Sequence, residues 1–63
     1  MKIFFVECEY DIGMNKGRKG SFTSEEEAIT FVNVALRGAG MEDETWDTLH
    51  KSGLIYGEWI GSN

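Results

Sequence analysis

Cysteine, histidine and basic charge are scarce in this chain. Its 63 residues contain one cysteine, Cys8, and one histidine, His50. Cys8 cannot close an internal disulfide, and the pair falls short of the four ligands a structural zinc ion takes. Secreted domains of this size are usually stapled by disulfides, so an unpaired thiol fits a reducing compartment. Long apolar runs are missing as well. Met1-Lys2 is followed by four apolar residues before Glu7, too few for a signal-peptide core, and nothing approaches the ~20 apolar residues of a membrane span. A soluble cytoplasmic protein is the expectation.

Six Lys/Arg stand against eleven Asp/Glu, a formal charge of −5. Direct binding to nucleic-acid backbones would lack the electrostatic drive of counterion release and is not expected. Such a balance suits solubility and docking on a partner with a basic surface. With 41% apolar residues, the chain can build one small domain over 1–63, near the lower size at which a core suffices without staples. No repeat, linker or low-complexity stretch divides it.

Residues 2–12, Lys-Ile-Phe-Phe-Val-Glu-Cys-Glu-Tyr-Asp-Ile, contain neither glycine nor proline and read as a strand. Phe4, Val6, Cys8, Tyr10 and Ile12 alternate onto a core face; Ile3, Phe5, Glu7, Glu9 and Asp11 share the face left to water. Gly13 to Gly20 form a turn or mobile loop leading to a short strand around Ser21 and Phe22. Ser24-Glu25-Glu26-Glu27 is a capping box, so a long helix starts there. Ala28, Ile29, Phe31, Val32, Ala35 and Leu36 form its apolar arc, Thr30, Asn33 and Arg37 lie opposite, and Gly38 and Gly40 end it. Residues 42–51 place acids first and His50 and Lys51 last, the polarity of a short second helix packing through Trp46, Leu49 and His50. Leu54 to Ile60 read as a closing strand, in which Gly57 marks a bulge or a close approach by another group. Gly61-Ser62-Asn63 are expected to fray. The sum is an α+β fold: a small two- or three-stranded sheet with one long and one short helix on one face.

Few side chains suggest catalysis. Glu7, Glu9 and Asp11, spaced by about 7 Å along a strand, approach the separation of paired glycosidase carboxylates, but so small a domain has little room for a cleft that would desolvate one of them. They read as a wet sheet face. His50 suits a helix C-terminus and has no nucleophile beside it, and Cys8 reads as an inert core thiol. No enzymatic activity, cofactor or metal site is expected. The loop 13–20 holds Lys16, Arg18 and Lys19, half of all the basic residues. Its glycines would let amides approach an anion, yet Gly17-Arg18-Lys19-Gly20 breaks the phosphate-loop register.

Binding features are more numerous. Glu42, Asp43, Glu44 and Asp47, like Glu25-Glu26-Glu27, stand at an expected helix start in greater number than the helix dipole needs. The surplus could imitate nucleic-acid phosphates toward a basic surface, with Trp46 as a short-range anchor. Ile3 and Phe5 lie on the open sheet face, where Ile55 or Trp59 would join them in a patch for a partner or a second copy.

The small acidic domain, its Ser-Glu-Glu-Glu-Ala helix start and its Gly-Leu-Ile strand near the end resemble the accessory proteins, host-takeover or anti-defence, that bacteriophages and mobile elements make. That resemblance implies stoichiometric binding to a host enzyme without turnover. The expectation is therefore a non-enzymatic interaction module, an acidic inhibitor or modulator of a nucleic-acid-handling enzyme. The alternative is a ligand-binding or sensor domain with an anion at loop 13–20.

Overall fold

Alternating large apolar residues build the central strand β1 (Lys2–Cys8) of the computed structural model, which describes residues 1–61. β2 (Lys19–Phe22) and β3 (Ile55–Gly61) pair antiparallel on either side of it, giving the order β2-β1-β3. Helices α1 (Glu25–Gly38) and α2 (Trp46–Lys51) complete the α+β domain. α1 lies over β2 and β1, and α2 over β3. Phe4, Val6 and Cys8 meet Ala28, Val32, Leu36, Leu49 and Ile55 in the core. Among the described residues no helix is long and apolar enough to cross a membrane. The expected fraying falls on Ser62 and Asn63, outside the described residues, whereas Gly61 pairs with Lys2.

Both helices begin and end by local chemistry. Ser24 Oγ accepts from the Glu27 N–H at 3.0 Å. The Glu27 carboxylate reaches one residue further back than a capping box requires, accepting from the Thr23 N–H and hydroxyl at 3.3 and 3.4 Å. At the other end the Met41 N–H donates to Leu36 O and the Gly40 N–H to Arg37 O, a Schellman motif with Gly40 at φ 81°. α2 repeats it: the Leu54 N–H donates to Leu49 O, the Gly53 N–H to His50 O, and Gly53 has φ 75°.

Several expectations need correction. β1 stops at Cys8, so Tyr10 leaves the core face and is 40% exposed, while Ile12 is buried from outside the strand. The loop after it is anchored by Met14, 1% exposed and packed beneath Gly20. Asn15 and Lys16 have φ of 44° and 63°, and the Gly17 N–H donates back to Met14 O, closing a tight turn of the primed kind. α2 begins at Trp46, not Glu42, because Thr45 caps it: Thr45 Oγ1 accepts from the Thr48 N–H, and Thr48 Oγ1 from the Thr45 N–H. Gly57 makes no bulge, since the β1–β3 register runs unbroken from Lys2–Gly61 to Cys8–Ile55. It marks a close approach: a Cβ there would come within 2.6 Å of Phe4 Cζ and 3.1 Å of Trp46 Cη2.

Candidate interaction surface

The helices cover one face of the sheet, and the side chains of the other follow from strand register. On β1 that face carries Ile3, Phe5 and Glu7. Ile60 stands opposite Ile3, Glu58 and Ser21 flank Phe5, and Tyr56 and Lys19 flank Glu7. Ile3 and Phe5 are half-buried by these neighbours, whereas Ile60 and Tyr56 remain 42% and 48% exposed. The surface is apolar toward Ile3 and Ile60 and charged toward Glu7 and Lys19, whose ion pair at 3.8 Å is solvent-exposed and weak. The Tyr56 phenol is held above the ordinary tyrosine range, first by its hydrogen bond to Glu58, then by desolvation and by the charges of Glu58 and Glu7.

Trp59 is not on this face. The register puts it with Phe4 on the helix side, ring centroids 5.3 Å apart in an edge-to-face contact. Ile55, the other residue expected beside Ile3 and Phe5, is buried in the core. The open face draws instead on Tyr56, Glu58 and Ile60, which sequence reasoning did not assign to it. The two alternating sets of this strand are similarly apolar. The one discriminating signal was Gly57, a residue small enough to lie against Phe4, which fixes the odd-numbered residues on the helix side.

The residues around the second helix divide by environment. Glu42 and Asp43 are exposed in a turn closed by the Glu44 N–H donating to Met41 O. These acids precede α2, so they are not its first turn. Glu44 is half-buried and accepts from Thr48 Oγ1 at 3.1 Å, and Asp47 pairs with Lys51 at 3.3 Å. Trp46 is half-buried against the core near Phe4, and His50 stacks on its outer side at 5.7 Å with rings 14° apart. The Trp46 N–H donates to Asn33 Oδ1 at 2.8 Å, which takes Asn33 out of the solvent-facing role its helix position suggested.

The basic loop uses its polar groups within itself and against nearby acids. The Gly13 N–H donates to Asp11 Oδ1, and the Cys8 N–H to Arg18 O. Arg18 and Lys19 share an open groove of about 420 Å³ with Glu7 and Glu9. Lys16 sits exposed at the turn tip. With Asp11 turned back on Gly13 and β1 ended at Cys8, the carboxylates expected in one row separate. Among the described residues no three His, Cys, Asp or Glu side chains converge as a metal site would need. No family model, curated protein or solved structure matches the chain.

Proposed function

We propose that this chain is a non-enzymatic interaction module, an acidic inhibitor or modulator that docks in the cytoplasm on a basic surface of a nucleic-acid-handling enzyme. The observation carrying this reading is the uncovered sheet face, where Ile3, Phe5, Ile60 and Tyr56 adjoin with Glu7 and Glu58 among them. An apolar patch with a polar, charged margin is the usual make-up of a protein interface. At a net charge of −5, the complementary margin is basic, and such margins occur on surfaces that hold nucleic-acid phosphates. Glu42 and Asp43, exposed ahead of α2, add negative charge that no helix start accounts for.

A photo-crosslinking phenylalanine analogue at position 5 tests the proposal in cells. The expected capture is a nucleic-acid-binding protein whose nucleic acid competes with this chain for the same surface. Phe5→Lys, placed on an open sheet face, is expected to keep the fold and abolish that complex, and added salt to weaken it. A folded Phe5→Lys variant that binds the captured protein undiminished would exclude this face.

A further inference from the structure

The two edges of the sheet differ in how they are protected. β2 is four residues long and carries Lys19, both features that discourage strand addition. β3 runs for seven residues without lysine, proline or bulge, and Tyr56, Trp59 and Ile60 on it are each more than two-fifths exposed. Hydrogen-bond parity identifies its free backbone groups. The Glu9 N–H donates to Leu54 O and the Cys8 N–H to Arg18 O, so odd positions of β1 bond toward β3 and even positions toward β2. On β3 the even positions therefore face β1. The N–H and C=O groups of Ile55, Gly57 and Trp59 point outward along the open edge.

We infer that this edge is a strand-addition site for a second copy of the chain, paired antiparallel about a two-fold axis at Gly57. Outward groups at odd positions can pair only with outward groups at odd positions, which limits the registers to steps of one position in the symmetry centre. The register centred on residue 58 gives fullest overlap but opposes Glu58 to Glu58, and like charges directly opposite are destabilising. Centring on Gly57 sets Tyr56 against Glu58 of the second copy, twice by symmetry. It also brings Trp59, 47% exposed on the helix side, against the strand of the second copy at Ile55, whose own side chain is already buried. Both open faces then lie on the same side of one six-stranded sheet, so this contact leaves the proposed docking face free.

The chain is short enough for total chemical synthesis, which allows a backbone test. Sedimentation equilibrium from about 10 µM to about 1 mM is compared for the native chain and for a chain N-methylated at the Gly57 amide. The expected result is a monomer–dimer equilibrium weakened at least about tenfold by N-methylation, with unchanged circular dichroism. Because each copy carries −5, the dimer is expected to tighten as salt is added, opposite to docking on a basic partner. Should the methylated chain fail to fold, Trp59→Lys and the concentration dependence of amide exchange at Ile55, Gly57 and Trp59 serve instead. Slower exchange at those three amides on dimerisation supports the pairing. A native chain that stays monomeric to about 1 mM, or a dimer indifferent to these changes, overturns it, as does an edge that takes up a foreign extended peptide while the chain alone remains monomeric.

Discussion

Asn33, midway along α1, accepts at Oδ1 the 2.8 Å hydrogen bond of the Trp46 N–H, the first helical amide of α2. That amide has no partner inside its own helix, because the first turn of any helix leaves its donors orphaned. One side chain thereby joins the two helices and fixes where Trp46 meets Phe4. Asn33→Ala is expected to cost about 1–2 kcal/mol, the range for losing a cap or leaving a buried donor unpaired. In a chain this small that is a fall of roughly 4–16 °C in melting temperature. Asn33→Asp, which keeps an acceptor and adds favourable charge at a helix start, should retain most of the stability. Equal loss in both variants would remove the hydrogen bond as the cause.

The close approach at Gly57 leads to the second prediction. A methyl group there would press on Phe4, a ring only 4% exposed and flanked by Trp46 and Trp59. The ring cannot swing away, so Gly57→Ala should destabilise by about 1–3 kcal/mol. Phe4→Leu removes the atoms in conflict. The double variant should therefore lose less than the sum of the two single losses, a coupling that denaturant titration of all four proteins would read. Simple additivity would mean that the methyl group is accommodated elsewhere.

Legibility in the sequence followed the range of the interactions. α1 was readable because its determinants are local: Ser24, three glutamates, an apolar period and Gly40. Its core stripe is narrower than the arc suggested, since Phe31 stays 39% exposed beside Phe22. The start of α2 was misplaced because Glu42, Asp43 and Glu44 suit a helix start as well as a turn, while the Thr45–Thr48 reciprocal cap is a pattern of two ordinary threonines. Met14 was hidden among glycines and lysines, and its burial depends on Gly20, brought near only by strand pairing. The faces of β3 depended on register with β1, a non-local fact. Half of the open face, Ile3 and Phe5, was therefore legible, and the other half was not.

Lys16 holds a φ of 63° at the second central position of its turn, beside Asn15 at 44°. This is the position where primed hairpin turns favour glycine, because an L side chain there crowds its own backbone. Lys16→Gly removes that crowding at some cost in unfolded-state entropy, and the expected balance is a gain of up to about 1 kcal/mol. Lys16→Val, β-branched, should instead lose stability. Thermal melts of the two variants should shift in opposite directions; shifts in the same direction would mean that the turn does not keep this conformation in solution.

The last prediction concerns the charge of the open face. Tyr56 keeps its proton above the ordinary tyrosine range, chiefly through the hydrogen bond to Glu58, with desolvation and the Glu58 and Glu7 charges acting in the same direction. All of these disfavour a phenolate, the hydrogen bond because the neutral phenol donates it and the carboxylates because they would repel the new charge. In a Tyr10→Phe background, where Tyr56 is the sole phenol, alkaline titration of phenolate absorbance should give a midpoint above that of the unfolded chain. Glu58→Gln should lower it, more than Glu7→Gln does. The stability effect has a definite sign: a folded-state pKa raised above the unfolded value contributes stability below the unfolded pKa, and that contribution is lost as pH rises through the folded one. Tyr56, diagonal to Phe5 on the open face, is neutral at neutral pH like any tyrosine, and its raised pKa extends that neutrality further into the alkaline range, so it adds no charge to the proposed docking face. An unchanged midpoint in Glu58→Gln would show that the phenol and the carboxylate do not meet in solution, and would leave Glu58 free to face the proposed basic partner directly.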